Sequence, residues 1–448
     1  MPLQASTTAK SVTDKQLPEG WRETALAEVA EKIAMGPFGS NIKVETFVSS
    51  GIPVISGTHL NGIQLEDHDF NYVTVEHADR LKNSNVYRGD VIFTHAGNIG
   101  QVAYIPHNSR YERYVLSQRQ FYLRCDKSKL SPEYITYFFK SREGQHKLLA
   151  NASQTGVPSI AQPSSYLKSL SITLPPLPYQ QKIVDALSCL DAKIDLLRRQ
   201  NKTLETIAQT LFKRWFVEFN FPNTAGKPYK ESGGKMLESQ LGEVPEGWAI
   251  GTIEDFGAAI SDFVANGSFA SLKDNVCLYE TPEYALFIRN TDLKSKFLHK
   301  VYADQRSYNF LKKTKLFGGE IIISNVGDVG SVYFCPYFDM PMTLGNNVIM
   351  LKSDYQAYLY TLFISIFGQF LINSITGGSA QPKFNKTDFR RLQILVPDTP
   401  ILKTFEAFAK SIYKKISKND SQIQNISQLR DSLLPKLMNG ELFSTYIQ

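Results

Sequence analysis

The chain is 448 residues long, 42% hydrophobic and 21% charged, with a formal net charge of +6; that is enough chain for two or more domains, each with its own core. Its four cysteines, Cys125, Cys189, Cys277 and Cys335, are scattered with no CxxC and no Cys/His cluster, which excludes a zinc- or disulfide-stapled scaffold and fits free thiols in a reducing cytoplasm. The mild basic excess favours a polyanionic partner without requiring one.

Residues 1–16 are polar, lack the apolar stretch of a signal peptide, and predict a disordered tail. Residues 17–176 read as a mixed α/β domain. Within it VIFTHAGNIGQVAYI is two β-rich runs joined around Gly97 and Gly100, which supply φ > 0 at a turn, and 132–151 predicts a helix with an apolar face. Residues 177–221 predict a long helix, 222–243 a Gly/Pro/Lys-rich linker, 244–398 a second domain and 399–442 a second long helix. The longest apolar run, 358–372 in the second domain, is too short and interrupted for a membrane span and predicts a buried helix. Trp215, Phe216, Phe219 and Phe221 cluster where the first long helix ends; they either pack that end onto a domain or form a docking surface.

The second half repeats the first in order. LPEGW (17–21) returns as VPEGW (244–248), RGDVIFTHAGNIGQVAY (88–104) as GGEIIISNVGDVGSVYF (318–334), YITYFF (134–139) as YLYTLF (358–363), and LKSLSITLPPLP (167–178) as FRRLQILVPDTP (389–400). A serial set of matches at a nearly constant offset means tandem duplication of one unit, a domain followed by a long helix.

Both helices carry a heptad seam: Ile183, Leu187, Leu190, Ile194, Leu197, Asn201, Leu204, Ala208 and Leu211 in the first, and Phe405, Ala409, Ile412, Ile416, Asn419, Ile423, Ile426, Arg430 and Leu433 in the second. Asn201 falls at an a-type step and Asn419 at a d-type step, so an antiparallel pair would set the two amides face to face and select one register, because a slip buries an unpaired amide. The expected fold is α+β: two similar mixed α/β domains separated by an antiparallel two-helix coiled coil, with internal pseudo-two-fold symmetry and a rod of roughly 60 Å between the domains.

The PEGW openings, MGPFGSNIK (35–43), GIPVISGTHL (51–60), GDVIFTHAGNIG (89–100), LPPLPYQQKIVDALSCLDAKIDLL (174–197) and LLPKLMNGEL (433–442) resemble the specificity subunit of type I restriction-modification systems, over about residues 17–442. The second copy departs from that pattern at 260–270 and where PLPYQQ becomes DTPILK. The resemblance implies a cytoplasmic, non-catalytic DNA-recognition protein. Each domain would be a target-recognition domain reading one half of a bipartite duplex, and the helices would set the spacing and dock two methyltransferase subunits, joined by motor-nuclease subunits. S-adenosylmethionine, ATP and Mg would belong to those partners, with no cofactor, metal or catalytic residue in this chain. The residues agree: there is no G-x-x-x-x-G-K-[ST] loop and no Asn/Asp-Pro-Pro-Tyr/Phe motif, and Asp191-Ala192-Lys193 lies in the long helix, where a solvated charge pair is expected.

Base edges are read by Arg, Lys, Asn, Gln, Ser, Thr and His on loops, while Lys and Arg to phosphate set affinity. The candidates in the first domain are Ser40, Asn41, Lys43, Thr58, His59, Asn61, Thr94, His95, Asn98, Gln118, Arg119 and Gln120; in the second they are Arg289, Asn290, Asp292, Asn325, Asp328, Asn346, Asn347, Lys383 and Lys386. Turn formation is the competing role for each, above all for Asn98 and Asp328 beside glycines. A two-headed protein-interaction scaffold without a DNA role is the alternative, and salt-sensitive duplex binding would separate the two.

Overall fold

The computed structural model describes residues 17–153, 155–240, 242–378 and 380–444; the predicted tail 1–16 lies outside them. The chain divides into two compact units, one built on residues up to Asp195 plus those from Gln424, the other on Leu196–Ile423.

In the first unit a four-stranded antiparallel sheet runs Ala30–Met35, Gln120–Cys125, Val91–Thr94, Val102–Tyr104. Its strands alternate cleanly: Val91, Phe93, Phe121 and Leu123 enter one core, and Ile92 and Tyr122 another. Both faces are covered at the two central strands, so residues 91–93 and 121–123 read as unbroken apolar runs. Phe93 is fully buried, and truncating it to alanine would cost ~3–5 kcal/mol. A second sheet runs Asn71–Val73, Ile52–Ile55, Arg113–Leu116, Asn85–Tyr87, and its middle pair is parallel.

The second unit repeats this plan. Ala259–Asp262, Val348–Lys352, Ile321–Ser324 and Val332–Phe334 form the antiparallel sheet, with Ile321 and Ile323 in one core and Ile322 in another. Its second sheet again has a parallel middle pair, Ala285–Ile288 with Met342–Leu344, and gains an edge strand, Leu278–Tyr279. In each unit the strand after the PEGW opening pairs with the strand that precedes a long helix: Arg22–Ala25 with Ser171–Leu174, and Ala249–Thr252 with Gln393–Val396.

The structure corrects the expectation of one helix over 132–151 and one over 358–372. Each is a pair: Pro132–Lys140 with Arg142–Leu149, and Gln356–Ile364 with Ile366–Ser374, the latter bent by 78°. Ser141 and Ser365 break them in extended conformation, and their hydroxyls cap the next helix by accepting from Gly144 N and Gly368 N at 3.1 Å. A Cβ on Gly144 or Gly368 would lie 2.0 Å from the carbonyl oxygen of Phe138 or Leu362, so only glycine permits the turn. Among the described residues no single helix is long and apolar enough to cross a membrane.

The long helices span Leu177–Phe212, followed by a π turn at Lys213–Val217, and Thr399–Met438. Within the second unit they run antiparallel. Asn419 Nδ2 donates to Asn201 Oδ1 at 2.8 Å, whereas Phe212 meets Phe405 with ring centroids 5.9 Å apart. Asn201 Nδ2 in turn donates to Asp420 at 2.9 Å, and Asn419 is fully buried. Within the first unit Ile183 and Leu187 share a core with Leu437 and Met438. There Asp191, expected to be solvated, accepts from Arg430 Nη1 and from the Tyr137 hydroxyl, each at 2.7 Å.

The aromatic cluster at the end of the first long helix packs inward. Phe216 and Phe221 are buried, and Phe221 stacks between Tyr229 and Trp248 at 4.6 and 4.9 Å. The stretch expected as a linker is therefore held, and Met236–Ser239 pairs with Gly242–Pro245.

Candidate nucleic-acid interface

In the first unit four loops meet: 36–43, 56–61, 95–101 and 117–119. Gln101 Nε2 donates to Gly57 O at 3.0 Å and to Asn61 Oδ1 at 3.4 Å, while its Oε1 accepts from Thr94 Oγ1 at 3.2 Å. His95 N donates to Arg119 O at 2.9 Å, its Nε2 lies 3.2 Å from Gln118 O, and Gln118 Nε2 reaches Ile42 O at 2.8 Å and also Gly39 O. Ile160 N and Gly97 N tie the same region to the short hairpin Ala152–Ser153/Ser159–Ile160 through His95 O and Pro158 O. Gly97 and Gly100 sit at φ +83° and +86°, and Gly327 and Gly330 of the second copy at +78° and +88°, where a side chain would be strained.

A polar linkage that sequence reasoning missed anchors this loop. Gln145, at the start of the second helix of the pair, donates through Nε2 to Gly100 O at 2.9 Å and Phe139 O at 2.6 Å. Gln369 does the same to Gly330 O at 2.9 Å and Phe363 O at 2.7 Å. The shared Ser-x-x-Gly-Gln at 141–145 and 365–369 was the available signal.

Of the first-domain candidates, Asn41, Lys43, Thr58, Asn61, Asn98, Gln118 and Arg119 are exposed on these loops. No ion pair or side-chain hydrogen bond engages Arg119 or Asn98 among the described residues. His59, Thr94 and Gln120 are corrections, being at most 2% exposed. His59 caps its own turn by accepting from Ser56 N at 2.9 Å and stacks on Phe70 at 4.3 Å. Thr94 and Gln120 bond each other at 3.4 Å. Burial, with repulsion from His68, lowers the pKa of His59, and burial lowers that of His95; both are neutral at pH 7. Positive charge on this rim comes from Lys43, Arg119 and Lys140, whose Nζ donates to Asn61 O at 3.2 Å. The side chain of Ser40 lies outside the described residues.

The second unit uses its candidates differently. Arg289 is engaged with the buried Asp292 through Nε at 2.9 Å and Nη2 at 2.7 Å, so the pair caps a turn instead of presenting a free charge. Lys386 is ion-paired with Asp262 at 2.8 Å. Each of these three has its charge paired within the fold. Asn290 is half-buried; Asn325 holds Phe384 O at 3.3 Å through Nδ2 and Asn347 O at 3.1 Å through its main chain. Asp328 is exposed, and the ion pair with Lys294 at 3.0 Å lowers its carboxyl pKa. Lys294 is a cation the sequence reading did not single out. Asn346, Asn347 and Lys383 remain exposed, with Asn347 in the left-handed region at φ +63°.

Two copies of one mixed α/β plan, each gathering turn-anchored polar side chains onto a loop rim, define a protein built for recognition. The model of the type I restriction-modification DNA specificity domain matches residues 18–206 and again 245–434, and the chain belongs to that family. Its part is DNA recognition, not catalysis. The chain is similar to the type I restriction enzyme MjaIX specificity subunit of Methanocaldococcus jannaschii, 25% identical over 95% of this chain and 94% of that one. It is also 25% identical to the HindI specificity subunit of Haemophilus influenzae, over 80% and 87%. The crystal structure of the type I restriction-modification S subunit from M. genitalium shares the fold, with TM-score 0.57, 14% identity and coverage of 95% and 97%.

Proposed function

We propose that each unit reads one half of a bipartite duplex target. The long helices then set the distance between the half-sites and dock two methyltransferase subunits, with motor-nuclease subunits joining them in the cytoplasm. S-adenosylmethionine, ATP and Mg act on those partners, and this chain contributes direct readout and phosphate contacts. In the first unit Asn41, Lys43, Thr58, Asn61, Asn98, Gln118 and Arg119 meet the DNA; in the second Asn346, Asn347 and Lys383 do so.

One observation carries the reading. The two copies keep the same strand order in the antiparallel sheet and the same glutamine anchor, yet carry different side chains on the matched loops: His95-Ala96-Gly97-Asn98 stands against Asn325-Val326-Gly327-Asp328, with Asn98 and Asp328 exposed. A common frame with divergent rims suits two dissimilar half-sites. The test is selection of duplexes from a random-sequence pool by the chain assembled with its methyltransferase subunit. The expected outcome is two blocks of fixed bases separated by a constant unspecified gap. A single block, or no enrichment, overturns the proposal, and absence of any salt-sensitive duplex binding favours the protein-scaffold alternative.

A further inference from the structure

Phe38 is 74% exposed and Phe269 is 81% exposed. Both occupy the segment that leaves the edge strand of the antiparallel sheet, after Ala30–Met35 in one unit and after Ala259–Asp262 in the other. The surrounding sequences differ, GPFGSN against NGSFAS, and so do the local structures, a 3-10 turn at Gly39–Asn41 against a helix at Phe269–Asn275. A bare phenyl ring recurs where little else does.

Each ring is held on an anchored segment. In the first unit Gly36 N donates to Gln120 O at 2.8 Å, and a Cβ on Gly36 would lie 2.2 Å from Ser117 O; on the far side of Phe38, Gln118 Nε2 holds Gly39 O. Phe38 is thus clamped on both sides to the turn that presents Arg119. In the second unit Leu272, one turn after Phe269, is buried against Phe287, two residues before Arg289. Three other exposed rings differ. Tyr87 and its counterpart Phe317 each lie under a cation, Arg124 at 5.2 Å and Lys352 at 4.9 Å, and Phe370 stands where the first copy has His146. Neither Phe38 nor Phe269 has a ring or cation partner among the described residues.

We propose that Phe38 and Phe269 are apolar base contacts, one for each reader, packing against bases of the half-site that the neighbouring polar side chains address. Aromatic rings held clear of their own surface serve proteins that wedge or pack against bases, and a phenyl ring also fits the thymine methyl group. The inference rests on the reading of each unit as a half-site reader.

The experiment uses the chain assembled with its methyltransferase subunit, a duplex selected by that assembly from a random pool, and a scrambled duplex of the same composition. Phe38→Ser and Phe269→Ser are each expected to weaken binding to the selected duplex about 10-fold. Binding to the scrambled duplex and the slope of log K against log salt should not change, because no phosphate contact is removed. Phe38→Leu, which keeps apolar bulk, is expected to stay within about threefold of wild type. If the serine variants bind the selected duplex within twofold of wild type, or lose both duplexes equally, the inference is overturned while half-site reading stands. Loss of the methyltransferase subunit from Phe38→Ser makes the ring a protein contact and also overturns it. Failure of the wild-type assembly to prefer its selected duplex removes both claims.

Discussion

Removing the Gln145 anchor should loosen one reader and spare the other. Gln145→Leu deletes the donor to Gly100 O and Phe139 O while keeping side-chain bulk. Both bonds are part-buried, so water recovers some of the loss, and the expected cost is ~1–3 kcal/mol. That free energy should appear locally. The Gly100 amide, which donates to Thr94 O, and the His95 amide, which donates to Arg119 O, lie in the anchored loop. Their native-state hydrogen exchange should accelerate about 5- to 150-fold, the range that energy corresponds to if the loop opens as a unit. Amides pairing Ala249–Thr252 with Gln393–Val396 in the second unit should be unchanged. Gln369→Leu should produce the converse pattern around Gly330. Exchange mass spectrometry resolves both. Equal acceleration in the two units, or a stability change below ~0.3 kcal/mol, would refute the idea that these glutamines pin the recognition loops.

Asn201→Leu strands the buried Asn419 amide and should cost ~1–3 kcal/mol in urea unfolding, whereas Asn201→Leu with Asn419→Leu should recover most of it; costs that simply add would mean the two amides are not coupled. Arg119→Ala should leave thermal stability unchanged, since its side chain has no folded partner among the described residues, and lower selected-duplex affinity by ~1–3 kcal/mol; unchanged discrimination against a scrambled duplex removes Arg119 from the readout. Burial, with repulsion from Arg430, lowers the Lys140 pKa to about 8. A depressed lysine pKa means the folded state binds fewer protons than the unfolded, so stability contributed by this group rises with pH from about 8 to about 10. Lys140→Met should abolish up to ~1 kcal/mol of that rise, after discounting for partial exposure; identical pH–stability profiles would show that Lys140 ionises normally.

Periodic and repeated signals carried the architecture. The duplication, the antiparallel heptad helices and the β-rich runs around Val91–Thr94 and Ile321–Ser324 are legible because each rests on spacing within one segment or on one segment matching another. The broken helices were hidden because the break depends on Gly144 and Gly368 meeting the backbone of the preceding turn, a close approach that apolar periodicity does not encode. The packed linker was hidden because Tyr229 and Trp248 close on Phe221 only in three dimensions.

The polar rim divides the same way. Residue type and loop position nominate Arg289, His59, Gln120 and Lys386 as readily as Arg119 or Asn98. Whether a group is free is decided by what the fold sets against it. Lys386 meets Asp262 from 124 positions away in the chain, Gln120 turns inward to Thr94, and Arg119 meets no carboxylate among the described residues. Sequence by itself determined that this is a duplicated chain of helix-linked mixed α/β domains, since hydrophobic period and repetition are local. Only the tertiary structure decided which side chains remain available to a partner, since hydrogen bonds and ion pairs between distant residues consume some and leave others in solvent.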